Sequence, residues 1–122
     1  MSKFLRAIRG ATTLVEDSKE EVLFKTQELL LEVLKRNSLS EDDIVSIIFT
    51  TTNDITSAFP AAAVREIGFQ DTPLLGASEQ NVRGSTPLCI RLLINCYSEA
   101  SKAEITHIYL HDAVALRPDI AS

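Results

Sequence analysis

The sequence predicts an α+β fold in which two helices rest on one five-stranded mixed sheet. Three observations carry that reading. Apolar residues recur at helical spacing along one long stretch, and a second, shorter stretch is bracketed by helix start and stop residues. Five further stretches are rich in Val, Ile, Leu, Phe and Tyr and have the length and branching of strands. The resulting order, β-α-β-α-β-β-β, provides too few helices to cover a sheet of this size, which predicts an oligomer.

The first strand is expected over Lys3 to Arg9, with Gly10-Ala11-Thr12-Thr13 ending it and offering room for a close approach. Ser18 and Glu21 then stand at capping-box spacing, and Glu16, Asp17, Glu20 and Glu21 suit the positive end of a helix. Val22, Leu23, Thr26, Leu29, Leu30, Val33 and Leu34 form one stripe, so the first helix is expected from Lys19 to Arg36, with Asn37 at its end. Ser40-Glu41-Asp42-Asp43 is a second cap-like turn, too short to open a long helix. Ile44 to Thr51 reads as a strand buried on both faces. Pro60 fits a first helical position and Gly68 a position just past a helix, giving a second helix over Pro60 to Ile67. Thr72 to Leu75, Leu88 to Tyr97 and Ile105 to Leu116 are the remaining strands, and Arg117-Pro118-Asp119 ends the last. There is no internal repeat and no low-complexity segment, so residues 1–122 are expected to form a single domain.

Composition narrows the function. A net charge of −5 places non-specific binding to nucleic acid or to an anionic membrane at a disadvantage. No apolar run approaches the roughly 20 residues of a membrane span, and the N-terminus lacks a signal-like apolar core. Cys89 and Cys96 form no CxxC and imply no disulfide framework, so a cytoplasmic setting is expected.

The chemistry-bearing stretch runs from Gly76 to Arg91. It leaves an apolar run, passes Glu79 and a loop marked by Gly84, Ser85 and Pro87, and then enters a strand with Arg91 in its middle. A guanidinium cannot shed its proton, so it needs a carboxylate partner or a ligand anion. Arg9 and Arg117 end or follow strands, and Arg65 lies in an Ala/Val segment. Arginines placed among apolar residues suit a small anion held by paired hydrogen bonds. With Tyr109 and Glu79, they suit a ligand carrying two carboxylates and a hydroxyl. A structural salt bridge at Arg91 accounts for the same residues, and both readings stay open here. His107 and His111 lack a third ligand at metal spacing and read as ordinary surface or interface residues. The two cysteines have no accompanying base and read as structural thiols. No phosphate-loop motif is present, and no activated nucleophile supports covalent catalysis.

Several segments together resemble the small trimeric, non-helical class of bacterial chorismate mutases. They are Arg6-Ala7-Ile8-Arg9-Gly10-Ala11-Thr12-Thr13, Phe59-Pro60-Ala61-Ala62-Ala63-Val64-Arg65-Glu66, Ser78-Glu79, Cys89-Ile90-Arg91, His107-Ile108-Tyr109-Leu110 and Leu116-Arg117-Pro118-Asp119. The resemblance covers essentially the whole chain. It implies a homotrimeric pseudo-barrel with active sites between subunits, and rearrangement of chorismate to prephenate without cofactor or metal. It further implies that Arg91 hydrogen-bonds the ether oxygen, Arg9 holds a carboxylate, Tyr109 positions the enolpyruvyl end and Glu79 accepts from the ring hydroxyl. Leu75, Gly76, Ala77 and Ser78 would line the same wall, while Phe59, Arg65, Leu116 and Arg117 would come from the neighbouring subunit or the C-terminal end. Two positions depart from the family pattern: Gly76 replaces a cysteine that contacts substrate, and Ala62 replaces a frequent lysine. A non-catalytic anion-binding trimer and a trimeric enamine or imine deaminase are the rival readings. The first would not need the whole set Arg9, Glu79, Arg91 and Tyr109, and the second would not explain the Arg9/Arg91 pair.

Overall fold

The computed structural model describes residues 2–116. Its elements run β1 (Phe4–Thr13), α1 (Lys19–Arg36), β2 (Ile44–Thr51), α2 (Pro60–Glu66), β3 (Leu74–Ser78), β4 (Cys89–Ser98) and β5 (Ile108–Tyr109), with short 3-10 turns at Glu41–Asp43, Lys102–Glu104 and His111–Leu116. The five strands form one sheet in the order β3-β2-β4-β1-β5. The central pairs β2–β4 and β1–β4 are antiparallel, while both edge pairs, β2–β3 and β1–β5, are parallel. The expected mixed sheet with two helices is therefore present.

Sheet register explains which residues are buried. Ile8, Ile47, Phe49, Ile90, Leu92, Ile94 and Ile108 share one face and pack with Val22, Leu29, Leu30 and Val33 of α1 and Val64 of α2. Their neighbours in sequence point to the other face, which among the described residues carries no α-helix, only the 3-10 segment His111–Leu116 over Ala11, Cys89 and Tyr109. There Leu5, Leu75 and Tyr97 stand about half exposed or more. Among the described residues, no helix is long and apolar enough to cross a membrane.

Helix α1 keeps its expected bounds because both ends are capped. The Ser18 hydroxyl accepts from the Glu21 N–H at 3.2 Å. The Glu21 carboxylate does not return to Ser18; it accepts from the N–H groups of Val15 (2.9 Å) and Glu16 (2.7 Å), fixing the chain that enters the helix. Asn37 closes the other end, donating to Val33 and Thr106 carbonyls and accepting from the Thr106 N–H, each at 2.9 Å.

Four strand expectations need correction. β1 does not stop at Gly10 but continues to Thr13, because Gly10 lies directly under the helix. A Cβ there would come within 3.1 Å of Leu92 Cδ1 and 3.2 Å of Leu29 Cδ1, so the glycine admits the close helix–sheet contact without breaking the strand. β2 buries one face only: Val45 is exposed and Ile48 half-buried. β3 extends beyond Leu75 through Gly76-Ala77-Ser78, held by parallel pairing to Phe49, Thr50 and Thr51. β5 is only two residues long; His111 takes a positive φ of 55°, turning the chain into the 3-10 segment that ends at Leu116. The expected terminator Arg117-Pro118-Asp119 lies outside the described residues.

Candidate active site

Alternation along each strand sends Arg91 to the helix-free face, and the register aligns it with one residue from every other strand. Ala77 of β3 pairs with Thr50 of β2, Thr50 with Arg91, Arg91 with Ala11 of β1, and Ala11 with Tyr109 of β5. Arg9 lies on the same face two residues along β1 from Ala11. Arg9 and Arg91 thus lie exposed on one face, with Glu79 arriving from the end of β3, while Tyr109 of the same face is buried against Ala113 and Leu116.

Glu79 is fixed there by β2 as much as by its own strand. Its N–H donates to the Thr51 carbonyl at 2.9 Å, which prolongs the β2–β3 ladder by one residue. Its Oε2 accepts from the Thr50 hydroxyl at 3.1 Å and lies 2.8 Å from Arg91 Nε in an ion pair. The guanidinium is therefore not a lone buried charge: its partner is Glu79, and its side chain is 45% exposed. The ion pair runs from Nε to Oε2, and the Thr50 hydroxyl bonds the same oxygen. The arrangement can present N–H donors to an oxygen and a carboxylate oxygen to a hydroxyl, side by side.

Cys89 lies beside this pair, buried among Ala11, Tyr109 and Ala113. Burial pushes its thiol up to about 11 despite the opposing pull of Arg91, which leaves it protonated and unsuited to nucleophilic work. Cys96 is likewise buried and raised by desolvation. Both act as small core residues. His107 accepts from the Arg9 N–H through Nδ1 at 2.9 Å, continuing the edge of β1 where β5 has not yet begun. His111 Nε2 lies 2.8 Å from Glu28 Oε1 of α1. Each histidine thus has a packing role.

A cleft of about 760 Å³ lies elsewhere, between the end of β3 and the N-terminus of α2. Phe59, Ala62, Gly76, Ala77 and Ser78 line it, and Arg91, Glu79, Arg9 and Tyr109 do not. A smaller hollow of about 100 Å³ holds Glu79, Arg91, Cys89 and Thr52. Within one chain the expected site residues consequently do not share one hollow: Phe59 and Gly76 to Ser78 line the cleft, Glu79 and Arg91 the smaller hollow, and Arg9 a third beside Arg36 and Lys102. Phe59 is 80% exposed at the N-cap of α2. Gly76 has no heavy atom within 4 Å of where a Cβ would stand, so the position has space for the thiol of the family pattern. Leu75 and Arg65 are exposed, and Arg65 lines neither hollow. Leu116 packs against the Tyr109 cluster of its own chain. Arg117 lies outside the described residues.

Four supporting residues escaped the reading of the sequence. Thr50 braces Glu79, as above. Asp17 accepts from the Thr56 N–H (3.0 Å) and hydroxyl (2.7 Å) and from the Ser57 N–H (3.2 Å), fixing the segment that leads to Phe59. Hydrogen bonds from the Ser57 and Thr56 side chains, with smaller backbone contributions, lower its carboxyl to about 2. Asp54 accepts from the Leu88 N–H at 3.0 Å, and Thr52 accepts from the Cys89 N–H at 2.9 Å, so the loop before β4 is anchored just ahead of Arg91. Acids or hydroxyls at strand and helix ends were the available signal, but their partners lie far away in sequence.

A sequence model described as chorismate mutase type I matches residues 5–120. The chain is 45% identical to chorismate mutase AroH of Thermus thermophilus over 119 residues, covering 97% of this chain and 98% of that protein. It is 38% identical to chorismate mutase AroH of Bacillus subtilis over 118 residues, covering 96% and 93%. A solved chorismate mutase from Clostridium thermocellum superposes with a TM-score of 0.89 at 44% identity, over 90% of this chain and 98% of that one. With the match spanning nearly its whole length, this chain belongs to the chorismate mutase type I family.

Proposed function

We propose that this protein converts chorismate to prephenate, and that the Glu79–Arg91 pair on the helix-free face is the centre of that chemistry. The observation carrying this reading is the Arg91–Glu79 ion pair, 2.8 Å from Nε to Oε2, which sets a partly exposed guanidinium beside a braced carboxylate. In the rearrangement an ether C–O bond breaks as a C–C bond forms within the same molecule. No external electron, group or proton is needed, so the protein must position the reactant and stabilise its charge redistribution.

Negative charge builds on the ether oxygen as its bond to the ring lengthens. The terminal nitrogens of Arg91 donate to that oxygen, and because the charge appears only in the transition state, the interaction lowers the barrier. Oε1 of Glu79 accepts from the ring hydroxyl. Arg9 holds a carboxylate, and Tyr109 borders the enolpyruvyl end. Phe59, Arg65 and the Leu75–Ser78 wall, with Leu116 and Arg117, complete the enclosure.

In this reading residues 1–122 act as one domain, and the working unit is a cytoplasmic homotrimer with sites between subunits. Two features support the trimer. The sheet face bearing Arg91 is only partly covered by the described residues of one chain, with Leu5, Leu75 and Tyr97 exposed on it, and the Phe59 cleft is separate from the Arg91 group, so a neighbouring copy can bring the two together.

The test is to incubate purified protein with chorismate, without metal or added cofactor, and follow loss of chorismate and appearance of prephenate. Turnover that disappears in Arg91→Ala is the expected result. A folded protein that binds chorismate without converting it would overturn the catalytic reading in favour of a binding or regulatory one.

A further inference from the structure

We propose that Thr50 is a positioning residue for the reaction: its hydroxyl holds the Glu79 carboxylate in the orientation from which Glu79 fixes Arg91. This rests on the reading of Glu79 and Arg91 given above and adds to it a residue from a third strand.

The geometry is specific. Thr50 stands directly beside Arg91 in the β2–β4 register and beside Ala77 in the β2–β3 register. Its Oγ1 donates to Glu79 Oε2 at 3.1 Å, the same oxygen that lies 2.8 Å from Arg91 Nε in the ion pair. Glu79 follows the last residue of the edge strand β3, and the loop after it is largely exposed. A glutamate there has three side-chain torsions to settle. Thr50 restricts them from below, because a β-branched residue in a strand has few χ1 choices and its hydroxyl is already aimed. Two donors converging on Oε2 leave Oε1 for a ligand hydroxyl. Without Thr50, Oε2 keeps only Arg91, and the carboxylate can rotate and take the guanidinium with it.

The bland alternative is that Thr50 is a β-branched strand residue whose hydroxyl is incidental. Valine separates the two, because it keeps the branching and nearly the volume and removes only the donor. Thr50→Val is expected to lower kcat/KM for chorismate about tenfold, the usual scale for losing a hydrogen bond to a charged group. The loss should fall mainly on kcat, since the pair is used in the transition state. Thr50→Ser should return kcat/KM to within about threefold of the parent, because it restores the hydroxyl. In the Glu79→Ala background the same Thr50→Val change should have little further effect, as expected of residues acting as a unit. Thermal unfolding of each variant checks that the fold is intact, and Thr50→Ala, which cannot overpack, provides the same hydroxyl deletion if Thr50→Val does not fold.

Parent-like kcat and KM in Thr50→Val would overturn the proposal. So would an undiminished loss in the Glu79→Ala background, or a Thr50→Ser variant as impaired as Thr50→Val. A parent protein that does not turn over chorismate overturns the underlying functional reading and this assignment with it. An active parent with an indifferent Thr50→Val overturns this assignment alone.

Discussion

Ala11 faces Arg91 across the β1–β4 ladder and Tyr109 across the β1–β5 pair, so a single methyl group separates the guanidinium's strand from the phenol's. Ala11 is fully buried with Cys89, Tyr109 and Ala113. A larger side chain has nowhere to go without displacing Tyr109 or the start of β4. Ala11→Leu is therefore expected to destabilise the fold by roughly 1–3 kcal/mol and to lower kcat/KM as well. Thermal unfolding and a chorismate assay on the same preparation check both; parent-like values in each would contradict the tight packing.

Arg91→Lys keeps the charge but replaces a planar fork with one flexible ammonium, which cannot bind Glu79 through one nitrogen while presenting two others. We expect kcat to fall by about 10²–10³, the scale for removing a preorganised donor from a developing oxyanion. Steady-state kinetics on the folded variant would decide. A variant with the parent's kcat and KM would separate Arg91 from the reacting oxygen.

Arg9 is exposed on the same face, and its backbone, not its side chain, bonds His107. Arg9→Ala should consequently leave β1 and the assembly in place while raising KM on the order of tenfold, through loss of a charge-assisted hydrogen bond to a carboxylate. Size-exclusion chromatography beside the kinetics tests this. Dissociation of the variant with KM unchanged would mark Arg9 as structural.

Asp17 offers a pH-dependent prediction. Its carboxyl is lowered from an ordinary 3.8 to about 2 in the folded chain, first by the Ser57 and Thr56 side chains. A depressed carboxylate contributes stability above its unfolded value and loses it as the pH falls toward the folded one. Asp17→Ala should thus have a lower Tm than the parent at neutral pH, and the difference should shrink as the pH is lowered from about 4 to about 2. Because the clamp fixes the segment before Phe59, KM should also rise, by about threefold, through looser positioning. A Tm difference that stays constant across that pH interval would show that the charge of Asp17 is not what matters.

The parts of the fold legible in the sequence were those whose signals are local. Helix α1 was found to the residue because its stripe, its Ser18 cap and its Asn37 end lie within it. Strand β3 was cut short because Gly76-Ala77-Ser78 has little intrinsic preference for strand; pairing to β2, some 30 residues away in the chain, supplies the order. β5 was overextended because its apolar run continues past His111, where the backbone turns to positive φ. The residues grouped around Arg91 were recognisable by type and by family pattern, yet their alignment in one row comes from sheet register, which no short motif encodes. Thr50 stayed hidden for a related reason. In a run of Ile, Phe and Thr it looks like strand filler, and only the arrival of Glu79 from the far side of α2 gives its hydroxyl a task.

The sheet topology also has a temporal side. β1 is synthesised well before either of its neighbours: Phe4 pairs with Ser98 and Thr13 with Cys89, while Gly10 and Ala11 await Ile108 and Tyr109. Until β4 has been made, β1 has two unsatisfied edges, and the apolar stripe of α1 has only part of its sheet to rest on. At roughly 5–20 residues per second, the nascent chain spends several seconds in that state. Folding is then governed by closure of a loop spanning most of the polypeptide, a topology associated with slow folding. The same strand that carries Arg91 into place is the one that ends the wait.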